Sequence, residues 1–188
     1  EPPRLLDVVL SPVVGEHVET RPIKGTRPRS ANAAQDAVYS KELLTSAKDK
    51  AENVMIVDLL RNDLSKSCEI GSVKVTKLFQ LQSFANVHHM VSMIVGKLAA
   101  NKTAIDMLRD CFPGGSITGA PKLRAMQIIE ELEPHRRGLY CGAIGYVSFE
   151  GNMDTNIAIR TAVNCKNVLS FYAGGGIIAD SDASKEYA

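Results

Sequence analysis

The sequence predicts an α+β fold, because its helical and strand-like patterns occupy separate stretches of the chain. Apolar residues recur at helical spacing between positions 34 and 62. The last third of the chain is strand-like, with turn residues at Glu150-Gly151-Asn152 and Lys166-Asn167. Two hairpins in succession favour antiparallel sheet, and this separation of helices from strands favours the α+β class.

The first half of the chain is expected to combine short strands with one long helix. Prolines and Gly25 disfavour helix over positions 21–29 and predict extended or turning backbone there. Helix formers dominate from about position 34, with Met55, Ile56 and Leu59 at helical spacing. In order, the expected elements are strands before Ser11-Pro12 and over 17–23, the helix over 34–62, a loop bracketed by Asn62-Asp63 and Gly71, and strands over 72–81 and 87–95.

The second half begins with two short helices that flank a glycine-rich loop. An amphipathic helix is expected over 103–111 and is ended by Phe112-Pro113-Gly114-Gly115. Pro121 suits the first turn of a second helix over 120–133, and Pro134 stops that helix. Strands are then expected over 141–149, 155–163 and 168–173.

Composition and charge argue against several classes of function. The 22 basic and 21 acidic residues give a formal net charge of +1, so we expect no nucleic-acid partner, which would need clustered positive charge. No apolar run approaches the roughly 20 residues of a membrane span, and the N-terminus is not expected to be a signal peptide. The four cysteines form no CxxC pair, which predicts free thiols in a cytoplasmic protein rather than a zinc or redox site.

Lys24 is the first candidate for chemistry. It precedes Gly25 in a proline-flanked segment, so its backbone is constrained and a ligand could closely approach its neighbour. A nucleophilic lysine has to be desolvated or placed near other cations, and the arginines at positions 21, 27 and 29 are expected to supply that positive field. The alternative is a solvated loop lysine within a basic stretch.

Glu52 and two histidines are further candidates. At helical spacing Glu52 falls on the apolar face of its helix, where a carboxylate is rare unless it is paired or binds a metal. Asp49, one turn earlier, lies on the same side of the helix. The alternative for Glu52 is an acid near the helix end that reaches solvent. His88 and His89 lie in a strand pattern, so one is expected to point inward and the other outward. An inward histidine can be a core residue as well as a catalyst.

Features suited to anions recur in the second half. The glycine-rich loop over 112–122 leads into a helix, although Lys122 lacks the flanking Gly and Ser or Thr of a phosphate-binding loop. The N–H groups of such a loop suit any carboxylate or phosphate. Arg160 is expected within a strand over 156–163, where flanking alanines leave room for a planar carboxylate, unless that face is simply exposed. With the glycines at 174–176, these features suit a small polyanionic substrate bound with magnesium.

Several motifs in consistent order resemble the chorismate-utilising enzymes, a family that includes anthranilate, isochorismate and salicylate synthases. They are RPIKGTRPR at 21–29, ENVMIVDLLRND at 52–63, VHHMVS at 87–92, PGGSITGAPKLRAM at 113–126, positions 142–160, and AGGGIIADS at 173–181. The resemblance covers nearly the whole chain from position 21. It implies an α+β fold in which antiparallel sheets stack face to face with helices on the outside.

The resemblance also implies roles for individual residues. Lys24 matches the family branch that aminates chorismate at C4, a step towards para-aminobenzoate and folate, whereas the anthranilate-forming branch typically has alanine there. In that branch the lysine amine adds at C2 as the C4 hydroxyl leaves, and ammonia from a glutamine amidotransferase partner then attacks C4 and expels the lysine. His89, rather than His88, matches the active-site histidine, and Glu52 and Glu186 match the ligands of Mg²⁺. The positions that match chorismate contacts are Gly25, Thr26, Ser116, Tyr140, Ile159, Arg160, Gly174 and Gly176.

Departures from the family pattern predict that the chain as written is incomplete. The family usually has Ser-Pro-Glu-Arg before the lysine motif, but here Ser11-Pro12 is followed by Val13-Val14, so the general-acid glutamate of the lysine branch is missing. Residues 1–188 are expected to be the C-terminal part of a chorismate-binding catalytic domain, and the N-terminal half of the enzyme is expected to be absent. We expect this polypeptide alone not to be catalytically competent. The alternatives are an anthranilate-forming enzyme and a catalytically inactive chorismate-binding fragment.

Overall fold

The computed structural model describes residues 17–177 and 181–184, in which helices combine with antiparallel strands. The predicted α+β class is confirmed. The strand predicted before Ser11-Pro12, the Val13-Val14 departure and Glu186 lie outside the described residues. In chain order the elements are β1 (His17–Thr20), β2 (Ile23–Pro28), α1 (Ala33–Thr45), α2 (Ala47–Ser65), β3 (Lys74–Ser83), β4 (Val87–Lys97), α3 (Ala104–Cys111), α4 (Gly115–Thr118), α5 (Lys122–Leu132), β5 (Ala143–Val147), β6 (Met153–Ile157), β7 (Ala162–Cys165) and β8 (Val168–Phe171).

β4 is the central strand of the main sheet, and all its pairings are antiparallel. β3 pairs along one edge of β4, whereas β1 and β2 lie end to end along the other edge, with Thr20 opposite Ile94 and Ile23 opposite Val91. Because β4 is covered on both edges, most of its residues are buried. The other strands form two separate hairpins, β5–β6 and β7–β8.

The hydrophobic core lies between the main sheet and α2, with contributions from α3 and β6. α3 begins with a capping box in which Thr103 accepts from the Asp106 N–H and the Asp106 carboxylate accepts from the Thr103 N–H. The core contacts hold one face of α2 against the sheet. The buried core residues are Val18, Ile56, Val57, Leu60, Leu64, Cys68, Ile94, Leu98, Ala104, Met107 and Met153.

The long helix predicted over 34–62 is in fact two helices. α1 and α2 meet at Ser46, whose hydroxyl caps α2 by accepting the Asp49 N–H. α2 then continues through the predicted loop start at Asn62-Asp63 to Ser65, because the Asp63 side chain is buried and held by lysines instead of turning the chain. Met55 is 46% exposed whereas Asn53 is fully buried, so the buried face of α2 is rotated relative to the predicted one.

The strand predicted through Arg160 ends earlier, at Ile157. Ile157 and Ala158 are both buried, so the alternation of inward and outward residues breaks there. Arg160 itself is exposed in a left-handed conformation with φ of 51°. The prediction that Arg160 lies in a strand is therefore wrong, although the two hairpins on either side of it are present.

The two hairpins expose large apolar side chains, among them Tyr146, Val168 and Phe171. Every residue of β5, β7 and β8 is exposed.

All four cysteines are free, with Cys165 exposed on β7. Within the described residues we find no helix long and apolar enough to cross a membrane.

Candidate functional site

A β-bulge in β2 fixes the position of Lys24. Ile23 lies opposite Val91 and Thr26 opposite His89, so Lys24 and Gly25 together face the single residue between those partners. Gly25 has φ of 84°, a left-handed conformation that glycine adopts without strain. An added Cβ on Gly25 would lie 2.7 Å from Leu43 Cδ1 and 3.0 Å from Asp49 Cβ. The bulge that carries Lys24 therefore depends on glycine at the next position.

The arginines around Lys24 do not supply the expected positive field, because each is paired with a carboxylate. Arg27 binds two acids from α1 and α2, and its hydrogen bond with Glu42 is the main cause that raises its pKa. The expectation of a cationic surrounding for Lys24 is therefore wrong. The pairs are Arg27 Nε with Glu42 at 2.9 Å, Arg27 Nη2 with Asp49 at 3.1 Å, Arg29 Nε with Asp36 at 2.9 Å and Arg21 Nε with Glu19 at 2.6 Å.

His89 lies on the central strand opposite Thr26, and its ring bonds to β2, the strand that carries Lys24. The Thr26 Oγ1 atom is 2.9 Å from His89 Nδ1. Burial of the ring lowers the pKa of His89, and the Arg160 guanidinium lowers it further. The imidazole is therefore neutral at neutral pH. One ring nitrogen bonds to Thr26, which leaves the other available to a ligand.

The prediction that one histidine of the pair points outward is wrong, because both faces of the central strand are covered. His88 is 3% exposed and His89 is 6% exposed. His88 Nε2 lies 3.0 Å from Asp36 Oδ1 on α1, and His88 Nδ1 lies 2.8 Å from Ser83 Oγ on β3. Both nitrogens of His88 are therefore used to hold α1 against the β3–β4 hairpin.

Glu52 presents a carboxylate from α2 that is 26% exposed. Its nearest ion-pair partner is Lys48 at 4.0 Å, whereas Asp49 is committed to Arg27. The described residues contain no group of three or more His, Cys, Asp or Glu side chains that could enclose a metal ion. Mg²⁺ commonly takes one or two protein carboxylates and completes its shell with water and substrate oxygens. An accessible carboxylate such as Glu52 fits that kind of binding.

The glycine-rich loop folds into the short helix α4, which carries Ser116. An added Cβ on Gly115 would lie 3.3 Å from the Leu59 side chain of α2. An added Cβ on Gly114 would lie 3.3 Å from Ile157, the last residue of β6. The two glycines thus let the loop pack between the helix of Glu52 and the strand end that leads to Arg160.

Tyr140 and Gly174, two predicted substrate contacts, lie close together. The Tyr140 hydroxyl would be 3.4 Å from a Cβ added to Gly174. The Tyr140 ring stacks on Tyr172 at 5.3 Å between centroids, and the Arg137 guanidinium lies 5.8 Å from the Tyr140 centroid. Burial raises the pKa of Tyr140, so its hydroxyl keeps its proton. Ile159 is half-buried, whereas Gly174 and Gly176 are exposed.

Some of the predicted site residues thus form two groups. Thr26 lies with His89 and Arg160, while Tyr140 lies with Gly174. Sequence reasoning missed Asp63, a buried carboxylate at the base of the loop. Its position, three residues after the apolar Leu60 on α2, is the same signal that marked Glu52.

A family model and several known proteins are similar to this chain. A model of the chorismate binding enzyme family matches residues 4–188. Aminodeoxychorismate synthase component 1 of Klebsiella aerogenes is 56% identical over 170 residues, which cover 90% of this chain and 38% of that protein. Anthranilate synthase component 1 of Synechocystis sp. is 52% identical over 172 residues, which cover 89% of this chain and 34% of that protein. The structure of anthranilate synthase component I from Streptococcus pneumoniae matches with a TM-score of 0.82 and 40% identity, over 98% of this chain and 40% of that one. The chain therefore spans about two fifths of the length of these relatives or less.

Proposed function

Because the chain belongs to the chorismate binding enzyme family, we propose that it provides the nucleophile and most substrate contacts of an enzyme that converts chorismate to 4-amino-4-deoxychorismate. The observation that carries the proposal is the bulge in β2. It holds a half-buried lysine two residues before Thr26, the bonding partner of His89, and that lysine has no hydrogen bond or ion pair within the described part of the chain. A lysine without an ion pair or hydrogen bond within the described residues is free to reach a substrate, and it reacts through its unprotonated amine. The 56% identity to an aminodeoxychorismate synthase component 1 supports the same reaction.

In this proposal Lys24 is the nucleophile. Its amine forms a bond to C2 of chorismate while the ring double bonds shift and the C4 hydroxyl leaves with a proton as water. Ammonia then attacks C4, the double bonds shift back, and the lysine nitrogen leaves C2 with the proton that the ammonia nitrogen gives up. The glutamine amidotransferase partner that would supply the ammonia belongs to the same proposal.

The other site residues bind and orient the substrate. Arg160 offers a guanidinium fork to a substrate carboxylate, and His89 offers the ring nitrogen that does not bond to Thr26. Because His89 is neutral, it can hold a polar group of the substrate without adding charge to the site. Ser116 and Tyr140 offer hydroxyl groups from the loop and from the segment before β5.

Magnesium is part of this proposal. Glu52 would hold the ion together with Glu186, and the ion would supply positive charge to neutralise a carboxylate of chorismate. Glu52 suits this role because it is accessible and only weakly paired with Lys48.

A covalent adduct tests the role of Lys24 directly. The full-length protein is incubated with chorismate and Mg²⁺ in the absence of ammonia. Its mass should increase by the mass of chorismate minus that of water. Lys24→Ala should abolish the increase, whereas Lys41→Ala, which removes an exposed lysine of α1, should leave it unchanged. An adduct that persists in Lys24→Ala would show that the lysine assignment is wrong.

Product analysis separates the two enzyme reactions. With chorismate, ammonium and Mg²⁺, a protein containing this chain should form 4-amino-4-deoxychorismate. Formation of anthranilate instead would favour the alternative, an anthranilate-forming enzyme. The chain is also 52% identical to an anthranilate synthase component 1. Chorismate binding without any turnover in the full-length protein would favour an inactive binding protein. Robust turnover by the 188-residue chain alone would overturn our expectation that it is not competent.

A further inference from the structure

Asp63 is a buried carboxylate that none of the roles above uses. Its side chain is 3% exposed, and Oδ1 accepts hydrogen bonds from Lys66 Nζ at 2.8 Å and from Lys122 Nζ at 2.7 Å. Its second oxygen, Oδ2, is buried and has no hydrogen-bond partner among the described residues. That oxygen lies 3.5 Å from where a Cβ on Gly115 would be. The carboxylate therefore sits directly at the base of the glycine-rich loop.

Lys122 connects both ends of this loop to Asp63. It is the first residue of α5 and follows Pro121, the last residue of the loop. Its Nζ atom also donates to the carbonyl oxygen of Cys111, the last residue of α3, at 3.1 Å. One ammonium group thus joins the start of the loop, the end of the loop and α2.

Lys66 bonds to the same oxygen of Asp63 but does not connect the two ends of the glycine-rich loop. It lies three residues further along, at the end of α2, and its second hydrogen bond goes to the Asp110 carbonyl at 3.2 Å. Its side chain is 43% exposed, compared with 20% for Lys122. Each lysine therefore brings one positive charge to the Asp63 carboxylate, but of the two only Lys122 is joined to the loop.

We propose that Asp63 and Lys122 are positioning residues that fix the glycine-rich loop against α2, and thereby Ser116 relative to Glu52. The functional part of this inference rests on the proposed function, which gives Ser116 and Glu52 contact with substrate and metal. Asp63 follows Glu52 by about three turns of one continuous helix, so the two carboxylates move together. A substrate that touches both the loop and the metal is held correctly only when their separation is fixed.

The first experiment measures the loop itself. Lys122→Met and the matched control Lys66→Met each remove one ammonium group from Asp63 Oδ1. Amide hydrogen exchange over residues 112–121 should be about tenfold faster or more in Lys122→Met, the change expected for losing a charge-assisted hydrogen bond. Exchange there should be unchanged in Lys66→Met. Equal loop exchange in the two variants would overturn the proposal, whatever the protein binds.

The second experiment measures the consequence for substrate. Isothermal titration calorimetry measures the affinity for chorismate, in the presence of Mg²⁺, of the full-length protein carrying each variant. Binding should weaken about tenfold or more in Lys122→Met and less than about twofold in Lys66→Met. Asp63→Asn, which keeps the shape and an acceptor oxygen, should show a smaller loss than Lys122→Met.

The two experiments separate failure of this inference from failure of the proposed function. A faster-exchanging loop with unchanged chorismate affinity would overturn the positioning role. A wild-type protein that binds no chorismate would contradict the proposed function, and hydrogen exchange would then decide whether Asp63 and Lys122 hold the loop.

Discussion

Replacing Gly25 by alanine should cost more stability than its backbone conformation alone explains. A φ of 84° costs an alanine about 1–2 kcal/mol. The new methyl group would also lie 2.7 Å from Leu43 Cδ1 and 3.0 Å from Asp49 Cβ. Leu43 is fully buried and Asp49 is held by Arg27, so neither side chain can move away freely. Overpacking of this kind costs about 1–3 kcal/mol, which gives a total of about 2–5 kcal/mol.

Two other glycines provide matched controls for this substitution. Gly71 and Gly151 have φ of 78° and 88°, and neither has an atom within 4 Å of an added Cβ. Gly71→Ala and Gly151→Ala should therefore cost the backbone term alone, and the effect of alanine on the unfolded chain is the same in all three variants. Urea denaturation followed by circular dichroism measures the free energy of unfolding. A value for Gly25→Ala within about 0.5 kcal/mol of the controls would refute the packing described around the bulge.

Two further predictions concern titrating side chains. Because burial and Arg160 lower the pKa of His89, the unfolded chain binds a proton there that the folded protein does not. The free energy of unfolding should therefore fall as the pH drops below about 6.5, and His89→Gln should reduce this loss. An identical pH dependence of urea denaturation in the wild-type protein and the variant would contradict the lowered pKa of His89. At mildly alkaline pH, iodoacetamide should modify the exposed Cys165 faster than Cys111, because burial raises the pKa of Cys111 to about 12. Peptide mass spectrometry measures both rates, and equal rates would show that Cys111 is not protected.

The elements that could be predicted from sequence are those whose ends depend on neighbouring residues. α3 begins after Thr103 because its capping box is local, and α5 ends before Pro134 because proline cannot continue a helix. The break between α1 and α2 also had a local signal, since Ser46 precedes Asp49 by three residues in the pattern of a helix N-terminus. Helix formers on both sides of Ser46 concealed it.

The features that were predicted wrongly depend on contacts between distant parts of the chain. Arg27 is neutralised by Asp49, 22 residues away, and His88 is buried against Asp36, 52 residues away. A basic stretch predicts positive charge, but the tertiary structure decides which charges meet a partner. Positions 24 and 52 became candidates through their local patterns, whereas His89 was chosen over His88 only by the family resemblance, and the roles of all three in catalysis stay predictions.

The bulge in β2 separates Lys24, the proposed nucleophile, from the elements that hold the fold together. Gly25 and the pairing of Ile23 and Thr26 with β4 set the register of the strand, whereas Lys24 takes no hydrogen bond or ion pair from the part of the chain described. A substitution at position 24 can therefore change the side chain there while the surrounding structure stays the same. Such a position is where enzymes that share one scaffold can diverge in chemistry during evolution by a single residue change.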